Sequence, residues 1–172
     1  MKTAHLIAIC ISGLVIFSFS SNKKPSLKAA LKIIDGFCEF VPSGNSVING
    51  DTLSVQGFYM SATEITNFEY LEFLLDLKQR GESEKYEIAK IDSLGWSRNF
   101  NGGAAYAEYY HNHPAYTEYP VVNITKTGAE MYCEWLTKKY DAISNGELKV
   151  KFRIPTRAEW IRAARGDNHS KV

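Results

Sequence analysis

An α+β domain is what this sequence predicts, and three observations carry the prediction. Three Thr-x-x-Glu boxes, Thr66 with Glu69, Thr127 with Glu130 and Thr156 with Glu159, each precede a run with apolar residues at helical spacing. Short apolar or alternating runs bounded by Pro, Gly, Asn and Ser have the length and punctuation of strands. The composition, 45% hydrophobic and 13% aromatic over 172 residues, is that of one globular domain rather than a disordered chain.

Charge excludes some function classes. Lys and Arg number 20 against 19 Asp and Glu, a net of +1, so nothing here attracts nucleic acid or an anionic lipid surface. The first 21 residues read as an address rather than as fold. Lys2 gives a positive start, Leu6 to Phe17 is almost wholly apolar, and Ser18 and Ser20 are small residues spaced for a signal peptidase. Cleavage is expected after Ser20 or Ser21, which would place the protein in the periplasm or outside the cell, with association with the outer membrane as a further expectation. The apolar run is shorter than the roughly 20 residues of a spanning helix. Cys10, with Ile9 before it, lacks the small neighbour that lipid attachment requires.

Export bears on the other cysteines, Cys38 and Cys133. An oxidising compartment permits them to pair, yet Cys133 also falls on an apolar helical stripe, where it serves as a small buried side chain. Neither has a basic neighbour that would make it a nucleophile.

Residues 22–36 form a lead-in segment, with Leu27, Ala30, Leu31 and Ile34 spaced for a short helix, and residues 37–172 form the domain. Phe37 to Pro42 reads as a strand and Ser43-Gly44-Asn45 as a turn. Val47, then Asn49-Gly50, then Leu53 and Val55 complete an opening hairpin. Thr66 and Glu69 start a helix whose stripe is Tyr70, Phe73, Leu74 and Leu77, stapled by Ile65 and stopped at Gly81. Capping accounts for Thr66 and Asn67 better than a substrate role does.

The periodic signal fades from Glu82 to Tyr119, apart from a short helix around Ile88 and Ile91, so a functional or covering loop is expected there. It holds Trp96 and Tyr106, Tyr109, Tyr110, Tyr116 and Tyr119. His111 and His113 have no third ligand at a metal-site spacing and read as part of a cover over the sheet. Tyr119 to Thr125 reads as a short buried strand, and a third helix follows from Thr125 or Thr127 with Ala129, Tyr132, Cys133, Leu136 and Tyr140 on one stripe. After a turn at Asn145-Gly146, the alternation of Leu148, Val150, Phe152 and Ile154 predicts a strand ended by Pro155. The last helix starts at Arg157. Trp160, Ala163 and Ala164 are placed on its packed side, Arg162 and Arg165 in solvent, and Gly166 at a left-handed stop.

The order of these residues carries more than their period. FRIPTRAEWIRAARG, Phe152 to Gly166, resembles the R-[LI]-P-T-E-A-E-W-E-x-A-A-R-G signature of the formylglycine-generating enzyme family, the sulfatase-modifying-factor domain, departing from it at Arg157, Ile161 and Arg162. Phe58-Tyr59-Met60 with Thr63-Glu64-Ile65-Thr66-Asn67, Tyr70 and Phe73 resembles that family's F-x-[MI]…E-V-T-N-x-x-Y…F block. Pro120-Val121-Val122 with Ala129, Tyr132, Cys133 and Trp135 resembles a third block, in which the cysteine is not catalytic.

The resemblance implies a fold distantly like C-type lectins. It also implies that the copper-binding cysteine pair, the calcium loops and several strands lie beyond the A-A-R-G block. Only six residues follow Gly166, so no catalytic, cofactor or metal residue is carried over, and the chain reads as an incomplete, N-terminal portion of the domain. With four histidines and no histidine–carboxylate cluster, the iron-dependent sulfoxide synthases are a poorer match. His113-Pro114-Ala115-Tyr116 is similar to the gliding-motility and type IX secretion relatives, which lack the cysteine pair. Three functions follow as expectations: an exported, non-catalytic module with a protein partner; a copper-dependent oxidase making formylglycine from a sulfatase cysteine, with its catalytic half encoded elsewhere; or a fragment that folds poorly because its last strand and helix lack their neighbours.

Overall fold

The computed structural model describes residues 36–144 and 150–166. The leader, the lead-in helix over Leu27 to Ile34, Cys10 and the Asn145-Gly146 turn lie outside the described residues. The architecture is mixed helix and small sheets, an α+β arrangement, with two separate two-stranded antiparallel sheets and six α-helices among the described residues.

The opening strands are β1 (Cys38–Val41), β2 (Gly44–Ile48), β3 (Asp51–Val55) and β4 (Phe58–Ser61). The expected hairpin is β2–β3, turning at Asn49-Gly50, where both residues take positive φ (53° and 91°), as this two-residue connection requires. β1 pairs with β4 instead of with β2, in register Phe40 opposite Tyr59. The expected turn at Ser43-Gly44-Asn45 is displaced, because Gly44 already pairs with Val55 and the chain passes from one sheet to the other at Pro42-Ser43.

Helix α1 (Asn67–Gln79) begins as its box predicts. Thr66 Oγ1 accepts from the Glu69 N–H at 3.2 Å, and Glu69 Oε2 accepts from the Thr66 N–H at 2.8 Å. It ends in a Schellman motif around Gly81 (φ +70°), with Glu82 N–H donating to Leu77 O at 2.9 Å and Gly81 N–H to Lys78 O at 3.0 Å. Residues 82–119 depart from the expected irregular loop. They hold α2 (Ser83–Ala89), α3 (Gly95–Asn99), α4 (Ala104–Tyr109) and a 3-10 turn, Pro114–Tyr116. Helix α2 contains Ile88 of the short helix expected around Ile88 and Ile91, whereas the others, three to six residues long, are too short to show an amphipathic period.

Two expected strands do not form. Tyr119–Thr125 makes only the bridge of Thr66 with Pro120, reinforced by Val121 N–H to Ile65 O at 2.9 Å. Val150–Ile154 pairs with no strand among the described residues; its Phe152 N–H donates to Thr137 Oγ1 at 3.0 Å, and Val150 and Phe152 pack on the core. Alternation reported which face is buried, but a strand also needs a neighbour.

Helix α5 (Lys126–Ser144) is capped by Thr125 rather than Thr127, Gly128 N–H donating to Thr125 Oγ1 at 2.9 Å. Its buried stripe includes Trp135, whose indole N–H donates to Asp76 Oδ2 at 2.7 Å. Tyr70, Phe73, Leu74 and Leu77 of α1 meet Tyr132, Trp135, Leu136 and Tyr140 of α5, with Ala89 closing the end of α2 over them. The Tyr70 and Tyr132 rings stack at 5.7 Å, and Phe73 lies edge-on to Tyr132 at 5.8 Å. Tyr70 also donates its hydroxyl to Ala89 O at 2.8 Å, and burial pushes its pKa up to about 12. Close approach here requires Gly128: a Cβ at that position would lie 2.6 Å from the Tyr70 hydroxyl and 3.3 Å from Ala89 Cα.

Leu77 is fully buried between α1 and α5, whereas Leu75 of the same helix is exposed. Leu77→Ala is expected to cost about 2–5 kcal/mol in denaturant unfolding and Leu75→Ala under about 0.5 kcal/mol.

Candidate functional site

Helix α6 (Arg157–Arg165) holds the most recognisable stretch of the chain, and its capping box forms as expected, with Thr156 Oγ1 accepting from Glu159 N–H at 3.2 Å. Glu159 does more than cap. Its Oε2 accepts from Thr156 N–H and from Arg153 Nη1, both at 2.7 Å, while Arg153 Nη2 holds Oε1. The arginine fork and the two Thr156 hydrogen bonds hold the Glu159 carboxyl down to about 2.

The helix departs from the expected placement at Trp160, Arg162 and Ala164, while Arg165 is exposed as expected and Ala163 is half-buried. Arg162, placed in solvent by its polarity, is 5% exposed; Trp160, placed on the packed side, is 58% exposed. The physical reason lies 120 residues earlier. Arg162 Nε donates to Pro42 O at 3.2 Å, Nη2 to Ser43 O at 3.3 Å and Nη1 to Gly166 O at 2.8 Å, so one guanidinium serves carbonyls left over where the chain crosses between sheets. Gly44 makes room for it, since a Cβ there would sit 2.5–2.7 Å from the guanidinium atoms. Beside it, buried Ser46 donates Oγ–H to Ala158 O at 2.7 Å. Gly166 ends the helix at φ +59° and ψ −150°, a region open to glycine alone rather than the left-handed helical one expected.

Outside this clamp the aromatic residues face solvent. Phe40 and Tyr59, directly opposite on β1 and β4, pair their rings at 5.3 Å while remaining 57% and 56% exposed. Ile154 is exposed at the approach to α6, and Val47 and Leu53 are exposed on the β2–β3 hairpin. Such side chains are the usual material of protein–protein contact.

Asn67, weighed in the sequence as a cap or a substrate contact, organises backbone instead. It is 1% exposed and donates Nδ2–H to Tyr110 O at 3.0 Å and to Tyr116 O at 2.9 Å. His111 Nδ1 lies 3.0 Å from Asn67 Oδ1, and His113 Nδ1 accepts from Ala115 N–H at 3.1 Å. The aromatic run therefore covers the start of α1 rather than a sheet, its rings packed on one another from Trp96 through Tyr110 to Tyr119. Nothing in the sequence signals the Asn67 and Arg162 roles, because each bonds carbonyls remote in the chain.

Cys38 on β1 and Cys133 on α5 are free, half-buried thiols, and burial pushes the pKa of both up, away from the thiolate that binds metal or attacks. No three His, Cys, Asp or Glu side chains among the described residues come together to hold an ion. A cleft lined by Thr137, Lys138, Asp141, Ala142, Val150 and Lys151 holds a single carboxylate, and its Thr137 hydroxyl is engaged by Cys133 O and Phe152 N–H. No helix among the described residues is long and apolar enough to cross a membrane.

A family model described as a sulfatase-modifying factor enzyme 1-like domain matches residues 18–172. No curated protein and no solved structure matches the chain.

Removing the clamp tests its weight. Arg162→Ala strands the Pro42 and Ser43 carbonyls and is expected to destabilise by about 2–4 kcal/mol in denaturant unfolding, while Arg165→Ala, exposed on the same helix, costs under about 0.5 kcal/mol.

Proposed function

The chain belongs to the family of sulfatase-modifying factor enzyme 1-like domains, and on that premise we propose that it is an exported, non-catalytic member working through contacts with other proteins. The observation that supports this reading best is the outward placement of large aromatic side chains on well-ordered elements. Trp160 stands out from the signature helix, and Phe40 and Tyr59 stand out as a cross-strand pair. A folded domain that keeps such rings in water forgoes on the order of 2 kcal/mol for each fully buried equivalent, which a partner surface would recover. The buried polar groups, by contrast, serve the scaffold: Arg162, Ser46 and Asn67 all bond backbone.

In this reading the fold is the sulfatase-modifying-factor, C-type-lectin-like one, of which these residues supply the scaffold blocks. Cys38 and Cys133 contribute packing and no redox step. The apolar leader directs the protein out of the cytoplasm, with a protein rather than a nucleic acid as partner.

Incubating the purified protein with a Cys-x-Pro-x-Arg peptide, copper and oxygen, and assaying aldehyde by mass spectrometry, is expected to give no turnover above a protein-free control; catalytic turnover overturns the non-catalytic reading. Export predicts a mature N-terminus at Ser21 or Asn22 when the full reading frame is expressed in a secreting host. Intact mass of the recovered protein checks this, and retention of Met1 through Ser20 speaks against it.

A further inference from the structure

We propose that His111 and Asn67 form a proton-sensitive latch that holds the aromatic segment 104–119 against the start of α1 and releases it in acid. The geometry fixes the tautomer. Both Asn67 Nδ2 hydrogens go to carbonyls, Tyr110 O and Tyr116 O, so Asn67 Oδ1 is left as an acceptor and His111 Nδ1 must carry the hydrogen that meets it. His111 Nε2 is then a bare lone pair, buried and without a partner.

That arrangement accepts a neutral imidazole and opposes a charged one. Protonation adds an N–H at Nε2 where no acceptor faces it, inside a site where the ring is 5% exposed. The titratable side chain against the ring is Tyr110, edge-on at 5.0 Å, and Tyr110 is in turn neighboured by Tyr116, Tyr119 and Glu64. Burial, rather than any of their charges, lowers the proton affinity of His111.

Opening the segment returns the ring to water and to its ordinary pKa of about 6.5. The latched state thus binds fewer protons than the open one. Its stability is fully present above about pH 6.5 and falls as the pH drops from there toward the depressed latched value. Three further hydrogen bonds tie the segment down, Phe68 N–H to Thr117 O at 3.0 Å, Asn67 N–H to Tyr119 O at 2.8 Å and the Tyr110 hydroxyl to Pro120 O at 2.8 Å, while Trp96 packs on Tyr106 and Tyr110 at 5.2 and 5.0 Å. Asn67 and its neighbour Phe68 supply the bonds to Tyr110, Tyr116, Thr117 and Tyr119, so loss of that grip loosens this stretch as a unit.

Amide hydrogen exchange of the full chain at pH 7 and pH 5, corrected for intrinsic rates, tests the latch. Opening of residues 104–119 is expected to rise several-fold at pH 5, with a ceiling of about 25-fold set by a free histidine pKa of about 6.5. Amides of α5 should change less than twofold. In His111→Phe, which fills the site without titrating, the pH response is expected to vanish; His113→Gln should keep it. A flat response in the wild type, or an undiminished one in His111→Phe, overturns the proposal. Should His111→Phe not fold, the His111 ring titration by NMR in the wild type decides instead: a midpoint below 6.5 supports the latch, and one at or above 6.5 overturns it.

Discussion

The guanidinium of Arg162 joins the two ends of the described chain, and the placement of everything on α6 follows from it. Pro42 and Ser43 lie where the backbone leaves one small sheet for the other, so their carbonyls have no ladder partner. One planar cation meets both carbonyls while also closing the helix on Gly166 O. With the Ser46 to Ala158 hydrogen bond, it fixes α6 across β2 and β3. Closing a loop of this length carries a large entropic cost that rises only slowly with further residues, so a few well-made contacts can hold such distant segments together. Once that face is committed to polar work, Trp160 is turned to solvent.

A second body of structure, the α1–α5 core, is held in the ordinary apolar way but with its polar edges individually matched. Tyr70 reaches Ala89 O, Trp135 reaches Asp76, and Asp76 in turn pairs with Arg80 at 2.7 Å. Lys139 lies over the Trp135 ring at 4.1 Å, covering its outer side. These bonds direct aromatic rings that apolar packing alone would leave free to slide. Phe37 and Phe152 meet Tyr140 at 6.0 and 4.9 Å, so residues flanking both ends of the domain contribute to the same core.

The two bodies divide their polar and apolar side chains differently. Charged and hydrogen-bonding groups that elsewhere would compose a reactive site are here absorbed in holding backbone: Asn67 on two carbonyls, Arg162 on three, Glu159 on its own helix start and Arg153. Among the groups presented outward are the aromatic Trp160, Phe40 and Tyr59, beside exposed ion pairs such as Lys90 with Glu87. That division gives the family signature a structural role in the scaffold.

Local signals determined a good deal without help. The boxes at Thr66 and Thr156, the stop at Gly81, the Asn49-Gly50 hairpin and the stripe on α1 were legible because each depends on residues within one or two turns of one another. The three blocks in order also named the family that the whole-chain match shows. Only the tertiary structure decided the pairing of β1 with β4, the loss of the strands at Tyr119–Thr125 and Val150–Ile154, and which side of α6 is buried. Strand formation depends on a neighbour that alternation does not supply, and an arginine counts as a surface residue in any pattern until unpaired carbonyls from a distant crossing are brought against it. The same holds for His111 and Asn67, whose relation exists only because the fold lays one segment over the start of another.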